Sequence, residues 1–204
     1  EELVLPFVGQ SATAVNEKKT FGYLFGTEEY DGGVAVTQNY NASSTAMHYI
    51  PETLKKVTVN ADKGVKVESE GEEATYEGYK LPAYAFHSMN RLESVTLTGN
   101  ISEVGDYAFY DCYGMKGFVL PESVEKIGAY AFVGCNRVQG VASPSETAGF
   151  RFAANGSLEE IGDYAFAGSF LTKIVLPDGV TKIGEGAFAN MTALEELVLP
   201  FVGQ

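Results

Sequence analysis

Hydrophobic positions along this chain fall into short phrases rather than long helical stripes. Six-residue stretches with apolar residues in first, fourth and sixth place recur as LKKVTV from Leu54, LESVTL from Leu92, MKGFVL from Met115, LTKIVL from Leu171 and LEELVL from Leu194, with a degenerate VQGVAS from Val138 among them. The fourth and sixth positions share one face of an extended segment, so each phrase predicts a short half-buried strand. Pro121, Pro177 and Pro200 close three of these strands, because proline has no N–H to give to a ladder. After most strands comes a second phrase built on Ala-Phe, at Ala85-Phe86, Ala108-Phe109, Ala131-Phe132, Ala165-Phe166 and Ala187-Phe188, often led by an apolar-Gly pair and a Tyr. The glycine permits a turn, and the Ala-Phe stretch is expected to be a short helical turn.

The strand phrases start at 54, 92, 115, 138, 171 and 194, in steps of 38, 23, 23, 33 and 23, so the base unit is 23 residues. A unit of that size cannot bury its own apolar side, and stacking of neighbours must build the core. The decamer EELVLPFVGQ occupies both Glu1–Gln10 and Glu195–Gln204, an offset of 194 residues. Six unequal units therefore read as one super-repeat, and the two decamers are expected at equivalent strand-and-turn positions. The start on Glu1, without an initiator Met or a signal peptide, reads as a segment cut from a longer array.

Short parallel strands at this interval suit an α/β leucine-rich-repeat solenoid, with strands on one face and short helical turns on the other. The phrases IGAYAFVGC and LPESVEKIGAYAF resemble the BspA-like leucine-rich repeat of bacterial surface proteins. The resemblance covers about residues 54–204 of a single repeat domain spanning 1–204. Residues 7–53 depart from it as a long atypical connection, and residues 144–158 as an insertion whose segment 146–154 is expected to be dispensable. It implies an extracellular or cell-surface, non-enzymatic module for adhesion and protein interaction, engaging a protein or glycan on another cell or on matrix. A passive stalk and, remotely, a hydrolase built on residues 7–53 are the other readings. In a bacterial host, the N-x-S/T triplets at Asn41, Asn100, Asn155 and Asn190 read as accidental.

Composition narrows the partners. A net charge of -13, from 14 Lys and Arg against 27 Asp and Glu, repels a nucleic-acid backbone or an anionic membrane surface. No apolar run approaches the roughly 18 residues that span a bilayer. Catalytic chemistry is thinly supplied: His48 and His87 lie in different units, and no four-ligand metal spacing exists, so no catalytic set, metal or cofactor is expected. Cys112 and Cys135 stand 23 residues apart at a repeat position that elsewhere holds Met89, Ser169 or Met191. They read as a buried pair, bonded or free. Glu68, Glu70, Glu72 and Glu73 read as a solvated charge run. Tyr84, Tyr107, Tyr130 and Tyr164 recur before Ala-Phe and predict a structural ladder.

On each strand, the residues alternating with the core ones face outward. Their middle column, Thr58, Thr96, Val119, Ala142, Val175 and Val198, is β-branched save one and weakly apolar. It reads equally as a partner-binding surface or as a set chosen for strand propensity.

Overall fold

The computed structural model describes residues 2–67, 75–136, 138, 149–152 and 156–200. The strand phrases stack side by side as parallel strands. β1 (Glu2–Leu5), β4 (Lys56–Ala61), β8 (Ser94–Gly99), β10 (Gly117–Val119) and β12 (Gly149–Arg151) form one sheet in that order. β14 (Lys173–Val175) and β16 (Glu196–Val198) pair as a further parallel two-stranded sheet. Pairing is in phase with the repeats, with Val57 beside Val95 and Val95 beside Phe118, so the first, fourth and sixth positions of successive phrases share one interior. Leu92, Val95, Leu97, Met115, Phe118, Leu171 and Ile174 are all buried there.

A second parallel sheet runs along the return path. β7 (Tyr79–Leu81), β9 (Ile101–Val104), β11 (Lys126–Ile127), β13 (Glu160–Ile161) and β15 (Lys182–Ile183) pair in sequence. Its outward column alternates in sign: Lys80 lies 3.8 Å from Glu103, Lys126 3.7 Å from Glu160, and Glu160 2.7 Å from Lys182. Each pair is worth under about 1 kcal/mol at such an exposed site, but the alternation discriminates between neighbours, because like charges opposite each other are unfavourable.

The Ala-Phe phrases correct the expected helical turns. They are hydrogen-bonded turns, and the helices among the described residues are two 3-10 segments, Asn16–Lys19 and Gly22–Phe25. The cause is the tyrosine. Tyr84, Tyr107, Tyr130 and Tyr164 all hold left-handed backbone angles, with φ from 53 to 65°, which a right-handed helix cannot continue. The backbone then alternates its donors. The Tyr84, Phe86 and Ser88 N–H groups donate to Asp106, Ala108 and Tyr110 in the next coil, while those of Ala85, His87 and Met89 donate to Pro82, Tyr84 and Phe86 in their own. The rings repeat the pattern. Phe86, Phe109, Phe132 and Phe166 stack at centroid spacings of 5.2, 5.2 and 5.3 Å, and the tyrosines at 5.0, 4.9 and 5.2 Å.

Residues 7–53 close this stack at one end. Phe21 lies against Phe86 at 5.0 Å and its N–H donates to Ala85, so it occupies the ladder position of an Ala-Phe phenylalanine. Lys19 sits over the outer face of Tyr84, 5.6 Å from its centroid. The antiparallel hairpin β2 (Gly33–Asn41) and β3 (Ser44–Pro51) then contributes Gln38. This buried amide accepts from Gly22 N–H at 2.6 Å and donates to Ala85 O at 3.3 Å, beside the Phe21 N–H, and to His87 O at 3.1 Å, where it stands in for the backbone rung. A smaller hairpin joins β5 (Val65–Val67) to β6 (Thr75–Glu77); the acidic run Glu68 to Glu73 lies outside the described residues.

Candidate interaction face

The strand register decides which side chains share a row. Val4, Thr58, Thr96, Val119 and Arg151 are successive register partners across the first sheet, and Val175 faces Val198 across the two-stranded one. Of the six residues expected in this column, Thr58, Thr96 and Val119 thus lie on consecutive strands, and Val175 and Val198 form a second stretch. Ala142 lies outside the described residues. The position beside Val119 belongs to Arg151, because the strand paired with β10 on that side is Gly149–Arg151. Segment 146–154, expected to be dispensable, therefore contains a strand of the sheet. The signal was available: Gly149-Phe150-Arg151 repeats Gly117-Phe118-Val119 in two letters of three. Val4 was missed as well, although it is the decamer counterpart of Val198, and it is 60% exposed.

The rows around this column are polar. Glu2, Lys56, Ser94, Gly117 and Gly149 are successive partners on one side, with Glu2 Oε1 accepting from the Thr58 hydroxyl at 2.7 Å. In the two-stranded sheet the same row holds the ion pair Lys173–Glu196 at 2.8 Å. On the other side the Thr98 hydroxyl donates to Asn60 Oδ1 at 3.1 Å. The face is thus a shallow strip of β-branched residues flanked by hydrogen-bonding groups, with bare backbone at Gly117. Such a strip suits a protein contact, which mixes an apolar centre with a polar rim.

The groups that could serve small-molecule chemistry are occupied or buried. A hollow of only about 20 Å³ between the β2–β3 hairpin and the repeats is lined by Val34, Val36, Ile50, Leu54, Met89 and Leu92. Its charged group, Arg91, is already paired with Glu52 at 3.1 Å. Cys112 and Cys135 are free and buried. Each thiol donates to a carbonyl of the preceding coil, Cys112 to Phe86 at 3.1 Å and Cys135 to Phe109 at 3.2 Å. Burial pushes the Cys112 thiol up to about 12 and raises that of Cys135, which removes the thiolate that reactivity requires. His48 is buried with both ring nitrogens unpartnered; burial lowers its pKa, against the Gly26 backbone and Glu17. His87 is stacked 5.3 Å from Tyr110 and is likewise lowered by burial, against Asp111. Among the described residues no three His, Cys, Asp or Glu side chains group as a metal site, and no helix is long and apolar enough to cross a membrane.

Comparison with known proteins agrees with this geometry. The BspA type leucine rich repeat region matches residues 75–154 and 159–202, in six copies. A leucine-rich repeat protein from Bacteroides ovatus superposes with a TM-score of 0.54 at 22% identity, over 85% of this chain and 41% of that one. The T. pallidum leucine rich repeat protein does so with a TM-score of 0.53 at 22% identity, over 86% of this chain and 72% of the other. At such identities the likeness is one of fold, and the chain spans less than half of the B. ovatus protein. No curated protein sequence matches the chain.

Proposed function

Because the chain belongs to the BspA-type leucine-rich repeat family, we propose that it acts as a non-enzymatic protein-interaction module on the outside of a bacterial cell, binding a protein on another cell or on matrix. The observation that carries this reading is the row Val4, Thr58, Thr96, Val119 across consecutive parallel strands, extended by Val175 and Val198. The stack behind the face holds it rigid: phenylalanine and tyrosine ladders and inter-coil hydrogen bonds repeat at each step. A rigid face loses little entropy on binding. The polar groups of the 7–53 connection support the same reading against a hydrolase. Gln38 is committed to three hydrogen bonds, and His48 is buried.

The test is binding of the chain to arrays of extracellular proteins and of glycans. Saturable capture by a protein supports the proposal. Capture by glycans alone would move the ligand class, and uniform absence of binding would favour a passive spacer.

A further inference from the structure

His48, in β3, is 2% exposed and has no hydrogen-bond partner at either ring nitrogen. It meets Gln38 and Gly22 at one point. A Cβ at Gly22 would lie 2.5 Å from His48 Cδ2 and 2.6 Å from Gln38 Oε1, so the bare glycine lets the imidazole and the amide close on its backbone together. Gln38 is the side chain that ties the hairpin to Gly22 N–H and to the Ala85 and His87 carbonyls. The imidazole is packed against the tie itself. We propose that His48 is the trigger of an acid-operated latch: when its ring takes up a proton, the β2–β3 hairpin leaves the coil of Ala85 and His87 while the repeats beyond stay folded.

Three observations carry this. The first is that the ring has no place for a charge. A buried imidazolium needs a hydrogen-bonded partner, and both nitrogens lack one. The titratable groups on the elements packed here are Glu17, Lys18 and Lys19, Tyr23, Tyr40 and Tyr49 of the connection and Tyr84 and His87 of the coil; of these Glu17 alone acts on His48 through its charge. The second is loose seating. The small apolar hollow lies between the hairpin and the repeats, and Ala35, Thr37, Thr45 and Met47 on the hairpin's other side are exposed. The third is a hinge. Gly26 and Gly32 hold φ of 77 and 80° with open space where a side chain would stand, and Glu52 N–H closes the hairpin base on Gly32 O at 2.9 Å, so the hairpin moves as one body. Opening gives up the three bonds of Gln38 and that of Tyr49 N–H to Gly26 O, while Phe21 N–H stays on Ala85 O. Burial lowers the pKa of His48 in the closed hairpin below the ordinary 6.5, to which the open one returns it. The closed form is thus complete above 6.5, and the open-to-closed ratio rises by at most about tenfold per pH unit below it, until the closed ring is protonated too.

Amide exchange of the full chain at pH 7.5, 6.5 and 5.5, corrected for the intrinsic pH dependence of exchange, tests the latch. Protection of the β2 and β3 amides should fall below pH 6.5 by up to about tenfold per unit, while β8 and the coils after it keep theirs. His48→Gln should remove the fall and His87→Gln should leave it. A fall that survives His48→Gln, or that only His87→Gln removes, would overturn the proposal, as would protection independent of pH or lost evenly along the chain. If His48→Gln unseats the hairpin at every pH, the imidazole resonance of the parent chain decides. Titration of the ring together with the hairpin amides agrees with the latch, whereas a ring that titrates while those amides stay unshifted contradicts it.

Discussion

The Cys135 thiol donates to the carbonyl of Phe109 at 3.2 Å, one coil back along the stack. Cys112 repeats this bond to Phe86, but Ser169, in the same slot one coil further on, is buried with its hydroxyl unpartnered. The shorter side chain does not reach. Ser169→Cys should therefore stabilise the protein by about 1 kcal/mol, and Cys112→Ser/Cys135→Ser should cost about 1–3 kcal/mol without loss of fold, the range for a buried polar group left unsatisfied. Urea midpoints check both. With Cys112 pushed up to about 12 by burial, neither thiol should be alkylated until the chain unfolds.

Phe132 is held between Phe109 at 5.2 Å and Phe166 at 5.3 Å, with Phe118 edge-on at 4.9 Å. Phe132→Ala should cost about 3–5 kcal/mol. Hydrogen exchange should rise first in the coils carrying Phe109 and Phe166, because contacts in a stack are between nearest neighbours. Uniform exchange along the chain would contradict that.

Gln38→Ala removes the amide that closes the ladder at His87 and leaves Gly22 N–H without its acceptor. The expected loss is about 2–3 kcal/mol, localised: exchange should rise in Gly33–Pro51 while the coils from Ser94 onward keep their protection.

Much of this was readable in the letters. The strand phrases, their inward positions and the aromatic ladders follow from a strict period, since every coil solves the same packing problem with the same residues. What escaped was set by contacts that periodicity does not encode. The left-handed tyrosines are stabilised by the neighbouring coil's ring and backbone, so Ala-Phe read as helical when it is a turn. Gln38 looked like one more polar residue in an irregular connection, and only the tertiary fold brings it 47 residues away to Ala85. In the interaction column, Arg151 lies inside an insertion that breaks the 23-residue spacing, so periodicity alone does not place its strand beside β10.

The histidines predict a pH dependence. Burial lowers the pKa of both His48 and His87 below the ordinary 6.5, so each is protonated more readily in the unfolded chain. Stability is complete above that value and declines as pH falls through it, because the unfolded chain takes up protons first. The decline stops only once the folded imidazoles are protonated too. Glu93 and Glu160, lowered chiefly by hydrogen bonds from Lys116 and Lys182, lose their contribution only below about 4.5. Denaturation between pH 7.5 and pH 5.5 therefore isolates the histidines, and His48→Asn/His87→Asn should flatten the slope.

The measurement closest to the central claim is ligand capture by the outward column. Val175 is 41% exposed and Val119 lies in register between Thr96 and Arg151, so Val119→Glu/Val175→Glu puts a charge at two positions of that column. Surface plasmon resonance against a protein captured in the array should lose its signal in this variant, while the melting temperature stays within a few degrees of the parent. Undiminished binding by a folded variant would contradict the assignment of the sheet as the interaction face.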